Sequence, residues 1–100
     1  MSPLQRRVKN VVRSLGDSFT VVGATRYGIF RVLSRGQALI YLPVATVDAA
    51  TLPIRAAYVS FDDATALSDS VSWDGLALTV AKVVNARWRG EAVAKLLVLV

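Results

Sequence analysis

A chain of 100 residues that is 54% hydrophobic and 19% charged, with three prolines, has the size and composition of one folded domain and no room for a second core. It contains no cysteine and no histidine, which excludes disulfides, thiolate nucleophiles, structural zinc and imidazole acid-base chemistry. A mean hydropathy of +0.48 in so short a chain leaves apolar side chains on the surface and so predicts a partner or an oligomer.

The first element is a basic helix. Twelve Lys and Arg oppose seven Asp and Glu, and Arg6, Arg7, Lys9 and Arg13 all precede the first acid, Asp17. Within residues 1–16, Leu4, Val8, Val11, Val12 and Leu15 recur at spacings of three and four, which predicts an amphipathic helix over Pro3–Leu15 with the cations between its apolar positions. Ser2 and Gln5 have capping-box spacing, Pro3 suits the first turn, and Gly16 is expected to end the helix in the left-handed conformation.

Short runs of Val, Leu, Ile and aromatic residues follow, broken by Gly, Asp and Ser, and they predict strands over residues 17–100. Ser18–Val22 and Arg26–Leu33 are expected to pair across Gly23-Ala24-Thr25. Gln37–Leu42 is read as a strand stopped by Pro43, and Thr46–Leu52 as one helical turn capped by Thr46, within a long loop at about 34–53. Arg55–Phe61 reads as a strand ending at Asp62-Asp63. The sharpest local signal is Trp73-Asp74-Gly75-Leu76, because Asp-Gly between alternating runs favours a type I′ turn. Counting outward sets Trp73 opposite Leu76 and Val71 opposite Leu78, with Val80 on the same core face and Ser70, Ser72, Ala77 and Thr79 on the other. The last strand, Ala92–Val100, is apolar on both faces apart from Lys95, as a central strand would be, with the N-terminal helix as its expected cover. The fold class is therefore mainly β: a small barrel or sandwich of five to six strands preceded by one helix.

Chemistry is sparse. Asp62 and Asp63 are adjacent and point to opposite sides of an extended chain, Asp17, Asp69 and Asp74 sit at turns, and Asp62, Asp63 and Asp69 lack calcium-loop spacing. Phosphate-binding glycine loops are absent. No catalytic residue, cofactor or metal is assigned. The basic face of Arg6, Arg7, Lys9 and Arg13 is the candidate contact for DNA or an acidic partner, its alternative being a solvated helix face. Arg87-Trp88-Arg89 combines an aromatic with cations at a turn, as single-strand binders do, although a Trp there commonly closes a barrel end. No run has the length of a membrane span and no signal-peptide core is present, so a soluble cytosolic product is expected.

Ala57-Tyr58-Val59, Asp62-Asp63, Ser68-Asp69-Ser70-Val71, Trp73-Asp74-Gly75-Leu76 and Leu78-Thr79-Val80 with Val83 together resemble the head-tail connector family of tailed bacteriophages, in particular the small stopper or head-closure proteins of the neck. Ser68 stands where that family usually has Gly, and Leu78 where an aromatic is common. The resemblance implies a homo-oligomeric ring in the virion neck, assembled in the host cytoplasm between portal or adaptor and tail proteins. Such a ring retains the packaged double-stranded DNA and docks the tail. It also implies a channel-closing loop, for which the matching stretch is Ser34–Pro53, with Ser34, Arg35, Gly36 and Asp48 as its polar and flexible positions. Val71, Trp73, Asp74, Gly75, Leu76 and Leu78 would form the hairpin and part of the core. The alternatives are a small β-barrel nucleic-acid-binding module that uses the basic helix and Arg87-Trp88-Arg89, or another neck layer such as an adaptor or tail-completion protein.

Overall fold

The computed structural model describes residues 1–100. Helix α1 spans Pro3–Leu15, where the sequence pattern puts it. The Ser2 hydroxyl accepts from the Gln5 N–H and the Gln5 side chain accepts from the Ser2 N–H, which satisfies two of the helix's free amides. Gly16 departs from expectation. Its backbone is extended, at φ −83°, and the chain runs straight into β1 (Asp17–Val21). Glycine is needed there for space: a Cβ would lie 2.3 Å from the Val12 carbonyl oxygen and 2.7 Å from that of Gly28.

Strands β1, β2 (Ala24–Val32), β3 (Arg55–Ser60), β4 (Ser70–Trp73), β5 (Leu76–Trp88) and β6 (Glu91–Leu99) close a barrel in the order β1-β2-β3-β6-β5-β4. All neighbouring pairs are antiparallel. The closing seam is short, since β1 meets β4 only at Thr20↔Ser72 and Val21↔Val71. Three hairpins share one device. Val22-Gly23, Asp74-Gly75 and Arg89-Gly90 each take positive φ at both positions, the type I′ pattern whose twist suits paired strands. The connection expected at Gly23-Ala24-Thr25 is thus one residue shorter overall and starts one residue earlier, with Val22 in the left-handed region and Ala24 and Thr25 already in β2. The Asp74-Gly75 hairpin has the register read from the sequence: Trp73↔Leu76 and Val71↔Leu78, with Ser70, Ser72, Ala77 and Thr79 exposed.

The barrel interior is filled by Phe19, Val21, Ala57, Val59, Val71, Leu78, Val80, Leu97 and Leu99. A second apolar cluster lies outside the wall. There Leu33, Ala38, Leu42 and Ile54 pack on Ala56, Leu96 and Val98, which explains why β6 is apolar on both faces. Its cover along this stretch is residues 33–54, where α1 had been expected; α1 instead crosses the other end of the same wall, near Glu91 and Ala92.

Residues 34–53 are correspondingly not an open loop. They form α2 (Arg35–Tyr41) and α3 (Val44–Ala49). The strand expected at Gln37–Leu42 is helical because Ser34 and Gln37 make a second capping box and because Ala38 and Leu42, four apart, bury one helical face against β6. The helical turn expected from Thr46 starts earlier, after Pro43, without a side-chain cap. No helix is long and apolar enough to cross a membrane.

Candidate functional site

Helix α1 lies across the wall from β6 through β3 to β2, and this placement divides its cations. Near its start, Ser2 donates its hydroxyl to Glu91 and Gln5 Nε2 donates to the Ala92 carbonyl at 2.8 Å. Two turns on, Lys9 Nζ donates to Asp62 Oδ2 at 2.6 Å. The Arg13 guanidinium stands 6.0 Å from the Tyr27 ring centroid. Lys9 is therefore ion-paired at the barrel rim and Arg13, though exposed, lies over Tyr27 there, whereas Arg6 and Arg7 are exposed and make neither kind of contact.

The acids after β3 are joints in the scaffold. Asp62 accepts from Lys9 and, at 2.6 Å, from the Ser60 hydroxyl, and these two bonds, Lys9 first, hold its carboxyl below the ordinary value of 3.8. Asp63 points elsewhere, accepting from Arg26 at 3.2 Å and from the Thr65 N–H at 2.8 Å, while its carbonyl accepts from Lys95 at 2.7 Å. The two carboxylates diverge at the Phe61-Asp62 turn that follows β3, closed by the Asp63 N–H donating to the Ser60 carbonyl at 3.1 Å. The carboxylates' cation partners come from α1 and β2, and the Asp63 carbonyl's from β6, which sequence spacing gave no means of finding.

Ser34, Arg35, Gly36 and Asp48 are accounted for within the helix pair. Ser34 caps α2, Gly36 sits in its first turn with open space around it, and Arg35 is ion-paired with Asp48 of α3. Trp73 forms a stack at one mouth of the barrel. Its ring lies parallel to Phe30 with centroids 4.4 Å apart, and the Arg55 guanidinium stands 5.5 Å from its ring centroid. Arg55 Nη1 donates to the Pro53 carbonyl at 3.0 Å, whereas its buried Nε has no hydrogen-bond partner and is left with the ring as its neighbour.

Two features run against the sequence reading. Val11 and Leu15 belong to the apolar stripe of α1, yet only Val12 is buried, and Leu15 is 75% exposed. Trp88 closes no barrel end: it is 58% exposed on a hairpin that extends past the barrel. Comparison with known proteins finds no protein-family model, no curated protein and no solved structure that matches this chain. The class the fold defines is a closed six-stranded antiparallel β-barrel preceded by an amphipathic helix.

Proposed function

We propose that this chain is a structural head-tail connector subunit of the stopper or head-closure kind, which forms a ring in the neck of a tailed phage or phage-like particle, retains packaged DNA and docks the tail. The reading is supported by the barrel-after-helix layout and by Ser68. The resemblance puts glycine at that position, and Ser68 takes positive φ, +71°.

The observation that carries it is the apolar surface that the fold leaves uncovered. A ring of identical subunits needs two different patches that complement each other. One candidate patch is the outer face of α1, with Val11 and Leu15; the other is the shoulder between α2 and α3, where Ile40 is 73% exposed beside Val44. They belong to opposite ends of the β3–β6 ladder, since α1 contacts the Asp62 and Ala92 end and α2 the Ala56 and Val98 end. Because α2 and α3 are seated on their own barrel, the proposal gives residues 34–53 a contact role and no plug in the channel.

Light scattering after size exclusion and native mass spectrometry on the full chain should show a closed oligomer that Leu15→Asp and Ile40→Asp each dissolve. Labelling of tailed particles should put the protein at the neck. A strictly monomeric protein that is absent from particles overturns the proposal.

A further inference from the structure

The β5–β6 ladder outruns the rest of the barrel. Strand β3 pairs with β6 only as far as Ser60↔Ala94, whereas β5 and β6 continue together to Arg87↔Ala92 and Trp88↔Glu91 before turning at Arg89-Gly90. The tip is thus a two-stranded ribbon, offset from the barrel by an irregularity between Ala86 and Arg87 that leaves Val93 unpaired. Such bulges bend a strand and re-aim its side chains. Asn85 through Gly90 are all exposed.

Trp88 is directly opposite Glu91, so the two side chains share one face of the ribbon. Glu91 is also the residue that Ser2 grips from the start of α1. The tryptophan and the first turns of the helix therefore lie on the same side. Arg6 and Arg7 follow at about 6 to 7.5 Å along the helix axis from Ser2. Arg89 follows Trp88, its guanidinium 5.7 Å from the ring centroid, whereas Arg87 projects from the opposite face of the ribbon and donates to the Gly90 carbonyl at 3.2 Å. Arg6, Arg7 and Arg89 make no ion pair and lie on the side of the exposed indole, and the one carboxylate there, Glu91, is already engaged by Ser2.

We infer that the ribbon tip and the start of α1 form one binding surface for a nucleic-acid strand, with phosphates on Arg6, Arg7 and Arg89 and an unpaired base stacked on Trp88. Fork-shaped guanidinium groups suit phosphate oxygens, and an exposed aromatic supplies sequence-tolerant stacking for any base. A lipid surface fits less well, because the ribbon tip offers one aromatic among cations and glycine, with the exposed Met1 beside Ser2 as the one large apolar side chain next to it. The inference reassigns the basic helix: Arg6 and Arg7 contact the ligand, while Lys9 is paired with Asp62 and Arg13 lies over Tyr27, farther along the helix from the tip. It does not depend on ring formation, and a monomer has the complete surface.

The test is fluorescence anisotropy of the full chain with a labelled single-stranded oligonucleotide, a duplex of equal length, and phosphatidylserine-containing vesicles as competitor. Trp88→Ala should weaken single-strand binding by roughly 5- to 150-fold, the range of one base-aromatic stack, and Trp88→Phe should restore most of it. Arg6→Ala with Arg89→Ala should lower the slope of log K against log salt by about 1.4, since each phosphate contact on a single strand contributes about 0.7. Lys9→Ala with Arg13→Ala should change affinity by less than about threefold at physiological ionic strength, where more distant charges are screened. Four results would each overturn the inference: no oligonucleotide binding at low salt, no effect of Trp88→Ala, duplex binding as tight as single-strand binding and indifferent to Trp88, or displacement by vesicles. Thermal melts of each variant separate lost binding from lost folding, and the replaced tip residues are exposed.

Discussion

Gly16 offers the most discriminating perturbation, because two explanations for a glycine at that position make opposite claims about asparagine. A left-handed cap would accept Asn almost as readily as Gly. In the folded protein the backbone at Gly16 is extended and the constraint is steric: an added Cβ meets the Val12 and Gly28 carbonyl oxygens at 2.3 and 2.7 Å, whereas real Cβ atoms essentially never come within 3.0 Å. Both obstacles are backbone, one in the last turn of α1 and one in β2, so relief requires prising the helix end off the barrel. Overpacking costs about 1–3 kcal/mol where side chains can yield, and backbone on two sides puts Gly16→Ala near about 3 kcal/mol. At roughly 4–8 °C per kcal/mol for a domain of this size, the melting temperature should fall by about 12–24 °C. Gly16→Asn should cost as much. Gly75, at φ +75° with nothing within 4 Å, is the control: Asn there should cost a few tenths of a kcal/mol and Ala about 1 kcal/mol. Thermal and urea unfolding followed by circular dichroism would measure all four variants. A Gly16→Ala protein within about 1 kcal/mol of wild type, or a Gly16→Asn protein clearly more stable than Gly16→Ala, would refute the steric argument.

Val22 is a β-branched residue in the left-handed region and is 93% exposed, so Val22→Asn should raise stability by about 1 kcal/mol, read as a higher urea midpoint at unchanged m-value. Trp73→Ala removes the stack on Phe30 and should cost about 3 kcal/mol, the lower end for a large aromatic because Trp73 is only half-buried, while Trp73→Phe should recover most of it in guanidinium unfolding. The Asp62 carboxyl is depressed in the folded state, so its contribution is present above the unfolded value of 3.8 and is lost as pH falls through the lower folded one. Because the Lys9–Asp62 pair keeps 43% and 35% of its side-chain surface exposed, Asp62→Asn should flatten the acid limb of a stability–pH curve by no more than about 1 kcal/mol and leave the neutral-to-alkaline limb parallel to wild type. Native-state hydrogen exchange should find the β1–β4 seam, paired only at two positions, opening more readily than the six-position β3–β6 ladder.

Much of the architecture was legible in the chain because local chemistry and tertiary packing agree there. Ser2, Pro3 and Gln5 announce α1, and the bounds read from them match the folded helix. Asp74-Gly75 fixes its hairpin and, through the two-residue period of a strand, the side of every residue from Ser70 to Val80. Where the local code is ambiguous, reading failed. Gln37–Leu42 is a short apolar run that suits strand or helix, and only the outer wall of β6, which needed cover for Leu96 and Val98, settles it as helix. Val22-Gly23 and Arg89-Gly90 are the same turn as Asp74-Gly75, but their first residues seldom adopt positive φ, so composition alone does not reveal them.

The candidate surface divides in the same way. From residue types alone, the absence of thiol and imidazole, the cationic start of the chain and the company of Trp88 with two arginines could be read directly. Which cations are free and which are spoken for could not. Lys9 meets Asp62 across a separation of 53 residues, and Ser2 meets Glu91 across 89. One-dimensional order determines which groups a protein possesses and how each short stretch prefers to bend. Closure of the barrel decides which of them become neighbours, because long-range pairing is set by the burial of a shared core and by strand register, and neither is written in any single segment.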